Sequence, residues 1–178
     1  MQKVEFKSKD DRLDYLHESC LGSYADILQY KGFLDAPAST RFHGNYAGGL
    51  FDHSANVASV LVELTEKLGL EWEREESPVM IGMLHDLCKI DQYIFDRDKD
   101  MYVFSNDPVI KGHGMKSVIY IQGMGIRLTE EETTCIVYHM GAFCPEKEWN
   151  DYGQAVERYP NVLWTHTADM VASKIMEV

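Results

Sequence analysis

The dipeptide His85-Asp86 constrains this chain more than any other feature, because four further residues of metal-ligand type are strung out around it. His53 lies upstream, and His113, His139 and Asp169 follow. Neighbouring side chains on a helix diverge by about 100°, so an adjacent His and Asp grip one ion only when other segments close the cage. The chain must therefore fold back on itself until separated stretches meet at one point. Four imidazoles and two carboxylates can hold two ions, with Asp86 as the natural bridge, since a carboxylate has two oxygens to share. Any one of these histidines alone reads as a core residue. The set reads differently, because all four fall at inward positions or helix ends of four segments. Asp86 follows Met83-Leu84, and Asp169 lies among Ala168, Met170 and Val171. An unpartnered carboxylate is costly in such surroundings, and a cation removes that cost. The mixed imidazole and carboxylate donors suit one or two divalent transition ions (Mn, Fe, Co, Ni or Zn) better than Mg.

With 178 residues, 45% of them hydrophobic, the chain can bury a core, and the expectation is a single domain over 1–178. Its formal net charge is −12, and Lys and Arg are scattered. A protein that wraps long nucleic acid needs a basic track, so this composition points to a small ligand instead. No apolar run reaches membrane-span length, and the opening MQKVEFKSKDDR is polar, so the expected location is cytoplasmic, away from membranes. Cys20, Cys88, Cys135 and Cys144 form no CxxC pair and are expected to be reduced thiols, mostly buried. The oligomeric state is left open.

Apolar spacing predicts an N-terminal helix over about 10–31, then a core over about 41–176. The glycine-rich stretch Arg41 to Gly49 reads as irregular. A helix over about 50–68 turns His53, Val57, Val60, Leu61, Leu64 and Leu68 inward. Ser77 as N-cap and Pro78 in the first turn start a helix that carries Val79 to Ile90. Tyr93 to Asp96 and Met101 to Phe104, around a polar turn, read as a small β-hairpin. A helix from near Gly112 to Gly123 follows. Thr129 and Glu132 form a capping box for a helix ending near His139. A loop with Pro145, Trp149 and Gly153 then leads to a last helix over about 161–176. The class is all-α with one small hairpin.

His166 shares a helical face with Asp169, and lining a pocket and packing in the core are both open to it. His43, in the glycine-rich stretch, either reaches a ligand or packs its loop. His17 reads as a surface residue. Phe143, Trp149 and Tyr152 could stack on a base or pack a loop. Lys89 lies one turn after Asp86 and either supports the helix end or faces a phosphate.

The order His53, His85-Asp86, Lys89, His113, His139, Asp169 resembles the HD superfamily of metal-dependent phosphohydrolases. Met83 to Ile90 is similar to its HDxxK element. Phe42 to His53, Gly112-His113 and Thr165 to Asp169 resemble the catalytic domain of bacterial manganese-dependent 3′-to-5′ exoribonucleases. The resemblance runs from about Arg41 to Lys174. It implies an HD-type helical bundle in which His53, His85, Asp86 and Asp169 hold one ion and Asp86, His113 and His139 hold a second. It implies catalytic roles for Asp86 and Lys89, with Lys89 facing substrate, and leaves His43 and His166 as the further candidates for substrate binding. Two departures stand out. The exoribonuclease relatives carry an extra nucleic-acid-binding domain of OB type ahead of the HD domain, whereas about forty residues that read as helix precede it here. Some dinuclear HD phosphodiesterases have a His-His pair where this chain has His139-Met140.

The expected function is hydrolysis of a phosphoester, in a nucleotide or short phosphodiester, by a metal-bound hydroxide. The partner is then a small phosphorylated substrate. A mixed-valent di-iron oxygenase on the same ligand set is one alternative, and a non-catalytic nucleotide-binding module with structural metal is another.

Overall fold

The regular structure follows the helix start and stop signals, with breaks where local side-chain bonding competes. The computed structural model of the protein describes residues 2–105, 110 and 112–178. Helix α1 (Lys9–Glu18) opens on a capping box in which the Ser8 hydroxyl accepts from the Asp11 N–H and the Asp11 carboxylate accepts from the Ser8 N–H. The single N-terminal helix expected over 10–31 is in fact two. Ser19 is extended, a 3-10 turn spans Gly22–Tyr24, and α2 covers Ala25–Tyr30. The Ser19 hydroxyl donates to the Leu16 carbonyl and accepts from the Leu21 N–H, which gives the backbone an alternative to the helix. Of the apolar positions that suggested one helix, Leu16 and Leu28 are buried on two different axes and Cys20 is exposed.

Helix α3 (Gly49–Leu68) is the central element and packs on α4 (Ser77–Leu84) and α8 (Asn161–Lys174). Gly82 lets α4 come close to α3, since a Cβ there would lie 2.3 Å from Ala58 Cα. Leu68, expected inward, is exposed, because the helix ends at left-handed Gly69 beyond the edge of the core. Ser77 is not the N-cap of α4. Glu76 holds that position, and the Ser77 hydroxyl donates to buried Glu132, which also takes a forked bond from Arg74. Pro78 sits in the first turn as expected. The helix does not run on to Ile90. It stops at Leu84, His85 caps it, and after Asp86 (φ −103, ψ 16) the chain tightens into a 3-10 turn over Leu87–Asp91.

Strands β1 (Tyr93–Asp96) and β2 (Met101–Phe104) form the expected antiparallel hairpin, pairing Tyr93 with Phe104 and Asp96 with Met101. Helix α5 (Gly114–Gly123) follows, then α6 (Glu130–Tyr138) with the Thr129–Glu132 capping box in place. The loop expected around Trp149 and Gly153 contains a helix, α7 (Trp149–Arg158). Tyr152, Ala155 and Val156 form its inner stripe, continued by Tyr159 at its C-cap. Gly153 lies on the exposed side, where a helical glycine costs only about 1 kcal/mol. Buried side chains from these helices, among them Leu28, Phe51, Leu61, Ile81, Ile136 and Val162, make one core cluster. No helix among the described residues is long and apolar enough to cross a membrane. All four thiols are free. Two, Cys88 and Cys135, are buried, whereas Cys20 is exposed and Cys144 half-buried, so the expectation of mostly buried cysteines holds for half of them.

Candidate metal centre

The carboxylate of Asp86 lies at the meeting point of helix ends. His85 caps α4, His113 is the N-cap of α5, His139 caps the end of α6, and His53 and Asp169 project from α3 and α8. Helix ends allow this convergence because a residue leaving the helix is freed from the 100° rule that separates its neighbours. Two glycines allow the close approach. A Cβ on Gly114 would stand 2.4 Å from the Ile136 and Val137 carbonyls, so α5 begins directly against the end of α6. Gly141 (φ +53) clears the His166 ring, which a Cβ would meet at 2.6 Å.

All four imidazoles turn Nε2 toward Asp86. Its Oδ2 faces His85 at 3.5 Å and His53 at 3.8 Å, while its Oδ1 faces His113 at 2.8 Å and His139 at 3.5 Å. Asp169 Oδ1 lies 3.2 Å from His53 Nε2. The two oxygens of Asp86 thus face two separate pairs of imidazoles. Lys89 Nζ also sits 2.6 Å from Oδ2.

Main-chain carbonyls set three of the tautomers. His53 Nδ1 is 2.8 Å from the Val178 main-chain oxygen, His85 Nδ1 is 2.8 Å from the Gly82 carbonyl, and His139 Nδ1 is 2.7 Å from the Ile136 carbonyl. A carbonyl only accepts, so each Nδ1 carries the proton and each Nε2 presents a lone pair to the centre. His85 Nε2, His139 Nε2 and Asp86 Oδ1 are buried without a hydrogen-bond partner. The 2.8 Å approach of His113 to Oδ1 is close but is not aligned as a hydrogen bond. Each unsatisfied buried group costs about 1–3 kcal/mol. Three such acceptors converging on one spot are what a cation satisfies and what a packed core avoids, so the donor set fits a divalent transition ion. The ligand atoms group tightly enough for this: those of His53, His85 and Asp86 lie within 4.8 Å of one another, as do those of His85, His139 and Asp169, and those of Asp86, Cys88 and His113.

Cys88 was not anticipated. It sits in the 3-10 turn after Asp86, with its sulfur 3.3 Å from His113 Nδ1. Burial pushes its thiol up to about 12, so it stands as a neutral partner of that imidazole. The Val178 oxygen, 125 residues from His53, was equally invisible in the sequence.

The electrostatics keep the carboxylates charged. Burial raises Asp86, but above all the Lys89 ammonium outweighs it and holds it well below the usual range. Burial likewise raises Asp169, and the neighbouring His53 ring outweighs it. Burial lowers Lys89, yet the Asp86 charge keeps it firmly protonated. Burial lowers His85, whereas at His139 the attraction of Asp86 overcomes burial and raises it.

A cavity of about 240 Å³ opens on this centre, walled by His43, Lys89, Phe143, His166, Met170 and Lys174 among others. His43 and His166 both line it, as one of their two readings required. The His43 ring stands 5.0 Å from that of His53, and burial, reinforced by His53, lowers its pKa to about 4, so it is neutral. His166 Nδ1 donates to the His139 carbonyl at 2.9 Å. Of the three aromatics considered for stacking, Phe143 reaches the cavity. The Trp149 indole donates to the Cys144 carbonyl, and Tyr152 packs on the core. His17 is exposed on α1. Lys174 escaped the sequence reading, although its spacing from His166 and Met170 on α8 is the signal that would have found it.

The HD-domain family model matches residues 50–161. That range includes His53, His85, Asp86, Lys89, His113 and His139, while Asp169 follows it. No curated protein and no solved structure gives a match. The match spans more than half of the chain and contains the doublet on which the centre is built, and the chain accordingly belongs to the HD-domain family.

Proposed function

We propose that the protein is a metal-dependent phosphohydrolase acting on a small phosphoester, a nucleotide or short phosphodiester. The HD family is generally one of metal-dependent hydrolases. The observation that carries the reading is the convergence of buried, unpartnered His85 Nε2, His139 Nε2 and Asp86 Oδ1 beside a cavity walled by two lysines.

In this reading His53, His85, Asp86 and Asp169 hold one ion, and Asp86, His113 and His139 hold a second. A divalent transition ion supplies an acidified water as nucleophile near neutral pH and neutralises phosphoryl charge. The chain's own groups do the rest. The Gly82, Ile136 and Val178 main-chain oxygens keep the imidazoles in the ligating tautomer. Lys89 holds Asp86 in place and lends positive charge to a phosphoryl oxygen in the cavity, and Lys174 adds a second cation at its wall. Neutral His43 can donate to the ester, and His166, with Nδ1–H committed to His139, keeps Nε2 as an acceptor. The kinship with manganese-dependent exoribonucleases rests on the sequence pattern alone, and the small cavity and acidic charge favour a short substrate over a polymer.

The test is metal analysis and turnover on a panel of nucleotides, cyclic dinucleotides and short oligonucleotides with Mn, Co or Ni. Asp86→Ala and His85→Ala should lose bound metal and phosphoester hydrolysis together, and His17→Ala should lose neither. Full metal content and rate in Asp86→Ala, or oxygen consumption with an organic substrate and no hydrolysis, would overturn the proposal.

A further inference from the structure

We infer that the groove between the loop at 39–42 and the hairpin seats the nucleobase of a nucleotide whose phosphate lies at the Asp86 centre. The inference rests on the hydrolytic reading above and names its substrate class.

The groove has a volume of about 610 Å³, and the rings of Phe42, Tyr93, Tyr102 and Phe104 line it together with Arg41. Phe42 is 75% exposed and Phe104 62%. Burial in the core gives no reason for two phenyl rings of one groove to stand in water, whereas a flat ligand stacked there does. The Tyr93 and Phe104 rings meet edge to face at 5.1 Å, which holds the hairpin wall in shape. The chain carries a net charge of −12, yet among the described residues no carboxylate lines this groove. Among the described residues, Arg41 has no ion-pair partner. A cation and aromatic faces together form the usual seat of a base, which stacks on the rings and leaves its phosphate to the positive side.

Residues of the groove neighbour residues of the metal cavity. Phe42 precedes His43, which walls that cavity. Lys174 walls it too, and its Nζ lies 5.8 Å from the Phe42 ring centroid. Tyr93 begins just after the turn that carries Lys89. The metal cavity alone, about 240 Å³, is smaller than the roughly 300–1,000 Å³ that encloses a small-molecule ligand. It takes the phosphoryl end, and the remainder of a nucleotide must extend outward. The aromatic groove is reached from the cavity wall through Lys174 and Phe42. A purely aliphatic tail would gain nothing from Arg41 or from the Thr40 side of the rim, and a base has polar edges for both.

The experiment is calorimetric titration of the Mn-loaded protein with the four nucleoside 5′-monophosphates, ribose 5-phosphate and octyl phosphate, and of the metal-free protein with the four nucleosides. The best monophosphate should bind about tenfold more tightly than ribose 5-phosphate. That ratio should fall to about one in Phe42→Ala and be retained in Phe42→Trp. Equal binding of nucleotide and ribose 5-phosphate, octyl phosphate matching the nucleotide, or a ratio unchanged in Phe42→Ala would each overturn the inference. If no phosphoester is bound or cleaved, the hydrolytic reading fails by itself, and the nucleosides decide the groove. Nucleoside binding that Phe42→Ala abolishes supports it, and no nucleoside binding overturns it.

Discussion

Two buried aspartates, Asp52 and Asp86, solve the same electrostatic problem in opposite ways. Asp52, one residue before His53, is closed by the protein. The Arg12 guanidinium grips both its oxygens at 2.6 and 2.8 Å, and the Tyr46 hydroxyl donates to Oδ2 at 2.8 Å. Arg12 fits only because Gly48 has no side chain, since a Cβ there would lie 2.5 Å from the guanidinium carbon. Asp86 has one ammonium on Oδ2, and its Oδ1 has no hydrogen-bond partner although two imidazole nitrogens face it. A structural carboxylate is saturated by donors. At Asp86 the neighbours are mainly lone pairs, which leaves the charge to be satisfied by something other than protein. The Asp52 pair also clamps the N-terminal region to the start of α3. The Asn56 side chain adds to the clamp by bonding the Val4 main chain. The N-terminal region, mostly outside the family match, thereby holds the helix that carries His53.

The contrast can be broken by experiment. Arg12→Ala should have the largest effect, about 3 kcal/mol of lost stability in chemical denaturation, because it leaves Asp52 buried and unpaired. Its bound metal per folded molecule should be unchanged, and loss of metal would mean that the two sites are not separate. Metal should act on the other aspartate alone. Saturating Mn at about 100 times Kd should stabilise the wild type and Arg12→Ala by about 2.7 kcal/mol, and a chelator should reverse the effect. Asp86→Asn should show no such gain in thermal unfolding, and a metal-induced rise there would place the ions elsewhere. The smallest effect is expected from Tyr46→Phe. It removes one donor of three from Asp52 at a half-exposed position and should cost about 1 kcal/mol, with the same metal response. A cost as large as that of Arg12→Ala would show that the hydroxyl is indispensable to the closure.

Most of the centre was legible because its residue types are rare in apolar helical settings and recur in order. His53, His85, Asp86, His113, His139 and Asp169 do converge, and the hairpin and the Thr129 cap stand where local turn and cap chemistry put them. Local patterns also misled. The apolar spacing over 10–31 crosses a break at Ser19, and Pro145 with Gly153 masked the amphipathic stripe of α7.

By itself the sequence determined the class of fold and the candidate ligand residues with their order, since these follow from periodicity and side-chain chemistry that each residue carries alone. Only the tertiary structure decided which atoms meet. The Val178 oxygen on His53, the Cys88 sulfur on His113, the Arg12 clamp on Asp52 and the groove shared by Phe42 and the hairpin all join residues far apart in the chain. Such pairings are set by how helices pack and where their ends fall, and no local pattern in the sequence encodes them.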